Sequence, residues 1–313
     1  MGLNVTALAD FVNQTQGEIV PKLIYGGQSV SVFPVTEGVK YSQPLNIFDV
    51  DLVIQSGSCV GGDSTAGSLI ATQRNIQVDP RTSYDSICLK EMDPKYLGVS
   101  ALPAGSYPET FTLAQTYADL LVSNFNKKND EHIWSAAGTG TGSASIGGLK
   151  YLTSSSINSD VVVPTGASTG SFTADTALDY IDDMIASVPS DIADRTDLSV
   201  WMSVANFRKY TAALRKAINF YFDPNSIENT DGMLSMAFPF NNVVVRGTVG
   251  LNGSDRIVLM ADAHVAIGTD LLSDFTEFQL WYDIAKDALS HRISTKLGVQ
   301  VAFPQYIVSN DKV

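Results

Sequence analysis

The stretch from Glu109 to Gly148 constrains this chain most, because it reads as a long helix running into a glycine-rich turn. Phe111, Ala114, Tyr117, Ala118, Leu121 and Phe125 recur at steps of three and four, the helical period with one face turned inward. Neither proline nor glycine interrupts Glu109 to Ala137. The spacing therefore predicts a helix of about thirty residues, roughly 40 Å long at 1.5 Å per residue. Such a helix is a spine for other elements to pack on. Gly138, Gly140, Gly142, Gly147 and Gly148 follow it; glycines take positive φ and let backbones approach closely, so the chain is expected to turn away there.

At 313 residues the chain can bury a large core, as one elaborate domain or two to three subdomains. A formal net charge of −13 argues against a free-standing nucleic-acid binder, since phosphate neutralisation needs clustered Lys and Arg. Cys59 and Cys88 are too few for a disulfide framework and lack the paired spacing of a zinc site. They read as reduced thiols in a protein made in the cytoplasm. Met1 to Thr6 has no basic segment before an apolar run, so it does not read as a secretory signal. Gly2 and Thr6 fit a myristoylation pattern too short to carry weight. No uncharged apolar run approaches the ~18 residues of a membrane span, and no membrane partner is expected. Asn4, Asn13 and Asn252 fit the glycosylation sequon, which matters only in a secretory pathway.

Residues 1–44 hold a short amphipathic opening, Leu3 to Val12, and then Gly26, Gly27, Pro34, Gly38 and Pro44. Breakers at that density predict an extended arm rather than a packed layer. Phe48, Val50, Leu52 and Ile54 alternate with Asp49, Asp51 and Val53; Thr72, Arg74, Ile76 and Val78 alternate with Gln73, Asn75 and Gln77. These are two half-buried strands, with Gly57, Gly61, Gly62 and Gly67 at the tip between them. An isolated hairpin is marginal in water, so the excursion is expected to lean on another subunit.

Beyond the spine, Thr153 to Ser171 is a polar connector. Thr173 is the expected N-cap of a helix with Ala177, Leu178, Ile181, Met184, Ile185 and Val188 inward. Leu198 to Met202 reads as a buried strand, and Ser203 as the cap of a helix with Phe207, Tyr210, Leu214, Ala217 and Ile218 inward. Strands are expected at 243–245, 256–260, 264–267, 278–284, 299–303 and 306–308, separated by turn residues such as Gly247, Gly253 and Pro304. The class is α+β, without the alternating βαβ run of a dinucleotide fold.

The residues of a catalytic constellation do not assemble. The glycine run lacks the Lys-Ser/Thr ending of a phosphate loop and the third glycine of a dinucleotide loop. The sequence contains no Gly-x-Ser-x-Gly elbow. His132, His264 and His291 are isolated and read as surface or core residues. Asp182 and Asp183, and Asp191, Asp194 and Asp197, lack the alternate spacing and central glycine of a calcium loop, so a solvated face is expected. The reading is a non-enzyme with no catalytic, cofactor or metal residues.

The order of parts resembles a tailed-bacteriophage major capsid protein of the Hong Kong 97 type. Gly138 to Leu149 resembles that family's turn after the spine, and Leu198 to Phe207 its following strand and helix start. Phe238 to Val245, Val258 to Asp262 and His264 to Gly268 resemble its late strand–acidic turn–strand segment. Ser58-Cys59, Thr72-Gln73-Arg74 and Cys88 resemble the excursion of capsid proteins from phages of Bacteroidetes-like hosts. The similarity spans nearly the whole chain.

The resemblance implies an N-terminal arm (1–44), an excursion loop with flanking strands (45–98), and a peripheral domain with the spine (99–149). It further implies an axial domain (150–260) and return strands of the peripheral domain (261–313). Subunits of this kind form hexamers and pentamers of an icosahedral head around double-stranded DNA, which they contact non-specifically on the inner face. Assembly in the host cytoplasm, with separate scaffolding, portal and decoration proteins, belongs to the same expectation. An arm and a hairpin that need neighbours suit heterologous contacts between copies, and an acidic wall would not grip its genome. Some members join subunits through a Lys–Asn bond from the excursion, but no lysine lies between Lys40 and Lys90, so no covalent chain mail is expected. The arm begins almost at Met1, so any scaffold is expected to be a separate protein. The rival readings are an encapsulin-like compartment, an enzyme with a dispersed site, and a tail-tube or decoration protein.

Overall fold

The fold rests on a computed structural model, which describes residues 29–51, 68–88, 111–135, 147–217, 227–230, 233–239, 241–270, 279–283 and 288–312. The glycines at the excursion tip, Cys59, Gly138 to Gly142, Ile218 and most of the arm lie outside the described residues.

The strands are β1 (Val35–Thr36), β2 (Ser42–Asp51), β3 (Ser68–Gln77), β4 (Asp79–Cys88), β5 (Leu198–Ser203), β6 (Glu228–Thr230), β7 (Met233–Ala237), β8 (Val244–Thr248), β9 (Val258–Ala261), β10 (Val265–Gly268), β11 (Gln279–Asp283), β12 (Ala288–Val301) and β13 (Val308–Ser309). The α-helices are α1 (Phe111–Ile133), α2 (Leu149–Leu152), α3 (Ala177–Ala186) and α4 (Val204–Ala217). One sheet has the order β13-β9-β5-β8-β7-β6; a second runs β1-β10-β12-β11 with β4 also on β12; β2 and β3 form a separate antiparallel ribbon.

The six-stranded sheet explains why β5 is apolar throughout. Leu198, Val200 and Met202 enter one core with Tyr180, Met184, Phe207 and Leu214 of α3 and α4. Trp201 enters a second core with Phe33, Trp134, Val258 and Met260. A strand covered on both faces loses the polar half of its alternation. The order helix, strand, helix is as expected, and the Asn206 N–H donates to Ser203 Oγ at 3.3 Å, the expected cap.

Several expectations need correction. The spine spans 23 residues, about 35 Å at 1.5 Å per residue, and ends at Ile133 rather than at the glycine run. Its last turn is closed by Trp134 N–H donating to Asp130 O and Ser135 N–H donating to His132 O. The glycines serve instead to bring the backbone back onto that end: Gly148 N–H donates to Ser135 Oγ, and a Cβ on Gly148 would lie 2.5 Å from Ile133 O. Helix α3 starts at Ala177 with Thr176 at its N-cap, because Thr173 closes a separate turn onto Thr176. On α4 Ala213 faces inward, whereas Ala217 is exposed.

The end of the arm is also more packed than expected. Phe33 is 3% exposed and lies 4.9 Å from the Trp201 ring and 6.4 Å from Trp134, while β1 pairs in parallel with β10. Its supporting surface belongs to its own chain. Finally, β12 is a single 14-residue strand beginning at Ala288, and β4 pairs with it from Ala288↔Cys88 to Leu297↔Asp79. Sequence periodicity assigned neither β4 nor the first half of β12.

Candidate functional site

The ribbon β2–β3 is held at its root and free on one face. Val78 carries the chain from β3 into β4, and Val39, Ile76, Val78 and Ala266 form a small core at that junction. Arg74 donates from Nη1 to Val301 O and from Nη2 to Asn158 Oδ1, both at 3.2 Å. Its partial burial lowers the guanidinium pKa, against the raising influence of Asp160. Gln300 Nε2 donates to Asn75 O at 2.8 Å. The excursion therefore leans on its own chain at the root, a correction to the expectation that only another subunit supports it.

Register decides the faces. Ile47 is opposite Thr72 and Leu45 opposite Arg74, and Ile47 is 7% exposed. Phe48, opposite Ala71, is 66% exposed. The expected alternation is right in period and wrong in parity for β2, since Phe48 faces out. Tyr41, 74% exposed, adds to this uncovered aromatic surface. A second patch sits on the other sheet, where Tyr84 of β4 and Trp281 of β11 lie with ring centroids 5.9 Å apart and are 56% and 36% exposed. Exposed aromatic clusters mark interaction surfaces more than isolated apolar residues do.

The spine end is pinned by Asp130, which is 1% exposed. Its Oδ1 accepts from Ser29 N–H at 3.0 Å, and its Oδ2 accepts from Thr248 Oγ at 2.6 Å and Gly250 N–H at 2.9 Å. Trp134 Nε1 donates to Ser29 Oγ at 2.7 Å. Arm, spine and six-stranded sheet thus share one buried carboxylate. A second buried carboxylate, Asp262, accepts from Ser199 Oγ at 2.7 Å, Trp201 Nε1 at 3.0 Å and Arg246 Nη2 at 3.3 Å. Burial raises its pKa despite those donors.

The sequence-singled residues disperse. His291 is 2% exposed in β12, and burial depresses it. His264 stacks on Phe303 at 4.9 Å and is depressed by burial and by Arg195. His132 lies on the spine. Asp182, Asp191 and Asp194 are exposed as expected. Asp183 and Asp197 are instead tied to the chain: Asp183 accepts from Ser168 N–H, and Asp197 pairs with Arg195 at 2.7 Å. Hydrogen bonding from Ser168 lowers the Asp183 carboxyl, and the Arg195 hydrogen bond lowers that of Asp197. No group of three His, Cys, Asp or Glu side chains that could hold a metal occurs among the described residues. No helix among them is long and apolar enough to cross a membrane.

The chain resembles known capsid structures along most of its length. It superposes on the capsid of an empty GTA particle with a TM-score of 0.52 at 12% identity, covering 91% of this chain and 89% of that one. The capsid of Myoviridae phage XM1 gives a TM-score of 0.52 at 11% identity, over 89% and 88% of the two chains. A chain of Microbacterium phage Oxtober96 gives 0.51 at 10% identity, over 91% and 90%. This is the Hong Kong 97-type capsid fold. In that fold β2–β3 is the excursion ribbon and α1 the spine, in the α+β arrangement expected from the sequence. No protein-family model and no curated protein matches the chain. The neighbours named for Mycobacterium and Microbacterium lend the Bacteroidetes-like host no support.

Sequence reasoning missed Asp130, Gly298 and the Tyr84–Trp281 pair. Only Gly298 carried a signal, since an isolated glycine inside a strand pattern marks close backbone approach. Asp130 is one acid among the 33 Asp and Glu residues, and its partners are more than a hundred positions away.

Proposed function

We propose that the chain is a structural major capsid protein that assembles into hexamers and pentamers of an icosahedral phage head enclosing double-stranded DNA. The observation that carries the reading is the excursion ribbon, held by its own chain at the root while Tyr41 and Phe48 stay uncovered. A face of that kind suits heterologous contact with an identical neighbour. In this reading residues 1–44 are the arm, 45–98 the excursion, 99–149 the spine-bearing peripheral domain, 150–260 the axial domain and 261–313 the return strands. The pairing of β13 with β9 brings the final strand of that last stretch back to the six-stranded sheet.

The protein acts as a wall rather than an enzyme, its place is the virion, and assembly takes place in the host cytoplasm. Scaffold, portal and decoration proteins are its further partners, and the inner face meets DNA without sequence preference. The absence of lysine between Lys40 and Lys90 supports a shell without Lys–Asn cross-links. Electron microscopy of the purified protein, with nuclease protection of any enclosed nucleic acid, tests the reading. Closed icosahedral shells holding protected DNA support it. Shells holding protein cargo without DNA would favour an encapsulin-like compartment, and a monomer at high concentration would overturn both.

A further inference from the structure

A groove of about 780 Å³ lies between the spine and the sheet carrying β4 and β12, with Arg81 and Ile293 on one wall and Leu121, Phe125, Lys128 and His132 on the other. It is a basic groove on an acidic protein. Lys128 is matched by Glu131 at 2.6 Å. Arg81 is not matched: among the described residues no partner stands within hydrogen-bond distance of its buried Nε, nor of the buried His132 Nε2. Burial pushes the Arg81 guanidinium down to about 10, opposed by the charge of Asp79, so it is still a cation at neutral pH. A half-buried cation without an acceptor is costly, and proteins neutralise it with an anion. A void of about 10 Å³ behind Arg81 and His132 has room for about one water, which would accept a hydrogen bond but bring no charge.

The nearest free length of chain points to what fills the groove. Residues 1–28 join the described chain at Ser29, which is fixed to Asp130 and Trp134 in the last turn of the same helix that walls the groove. Asp130 and Trp134 lie on the opposite side of that turn from Leu121, Phe125 and His132. Glu18 precedes Ser29 by eleven residues, a reach of about 36 Å against a helix diameter of about 10–12 Å. Ile19 and Val20 follow Glu18 directly, so a carboxylate and an apolar pair arrive together, matching Arg81 beside Leu121, Phe125 and Ile293.

We propose that residues 1–28 dock in this groove on their own chain, with the Glu18 carboxylate against Arg81 and Ile19 and Val20 against the apolar wall. The tether keeps the segment at high effective concentration, so the contact needs neither a second copy nor assembly.

The test uses the full chain in two ways. In a background of Cys59→Ser and Cys88→Ser, Glu18→Cys and Thr82→Cys are joined by a short bismaleimide in a mixture of isotopically light and heavy protein. Cross-links within one label are expected; mixed-label cross-links, or none above an exposed Thr196→Cys control, would overturn the proposal. In the second arm, chymotrypsin cleavage inside residues 1–28 is timed. Arg81→Glu should speed it about tenfold, because cleavage tracks the population of the released segment, and adding Glu18→Arg should restore the slow rate. Unchanged cleavage in Arg81→Glu, or faster cleavage that Glu18→Arg does not reverse, would overturn it. If Arg81→Glu does not fold, Arg81→Gln with the same readout replaces it.

Discussion

Gly268 and Gly298 stand directly opposite each other across β10 and β12, and the root of the excursion ribbon lies against both. A Cβ on Gly298 would come within 1.8 Å of Gln77 O, and one on Gly268 within 2.5 Å of Ile76 Cγ2. The ribbon leaves the body of the protein over the one place in these strands where side chains are missing on both.

The two glycines therefore differ in tolerance. Gly298→Ala forces backbone against backbone and should cost about 2 kcal/mol or more, in the range of overpacked cores. Gly268→Ala meets only the end of the Ile76 side chain, which can move, and should cost less. Denaturant midpoints of the two variants check this ordering; equal stability would contradict it.

Asp130 should be the most sensitive polar residue at the spine end. Asp130→Ala strands the Ser29 and Gly250 amides and the Thr248 hydroxyl. At about 1–3 kcal/mol for each buried group left unpaired, a loss of about 3 kcal/mol or more is expected. Equilibrium unfolding measures it, and a loss below about 1 kcal/mol would mean that water replaces the carboxylate.

Acid should weaken the C-terminal latch. Asp311 accepts from Arg256 Nη1 at 2.6 Å, from Ser154 Oγ at 2.9 Å and from Ser155 Oγ, and Arg256 is 4% exposed. Burial pushes the Asp311 carboxyl up, but these hydrogen bonds and the Arg256 charge outweigh it and leave it below its ordinary value. A folded pKa below the unfolded one, near 4, means that the stabilisation is complete above about pH 4 and is lost as pH falls through the folded value. Asp311→Asn should cost about 1–3 kcal/mol at pH 7, and the gap from the parent should shrink in more acidic solution. A gap of equal size at both ends of that range would show that the ion pair is not its source.

Phe48 separates assembly from folding. Because it is exposed, Phe48→Glu should leave monomer stability within about 0.5 kcal/mol while reducing the yield of closed particles at least tenfold. Normal particles from this variant would remove the outer face of the ribbon from the proposed contacts.

Much of this architecture was legible in the sequence because it is local. The three-and-four spacing from Phe111 to Phe125, the faces of α3 and α4, the Ser203 cap and the two ribbon strands all depend on neighbours a few positions away, and the resemblance to the capsid fold was built on their order. Arg74 was singled out, but the atoms it reaches at Asn158 and Val301 are 84 and 227 positions distant. Arg81 was not noticed, because a buried cation looks like any other arginine until its surroundings are known.

The sequence by itself determined which stretches are helix or strand, since side-chain period and capping act within one or two turns of chain. Only the tertiary structure decided that the spine ends at Ile133, that Phe33 seats the arm between two tryptophans, that β4 lies on β12, and that Phe48 rather than Ile47 faces outward. The reason is that alternation specifies two faces without saying which is covered. That choice belongs to the opposing surface, here Gly268, Gly298 and the strands that carry them.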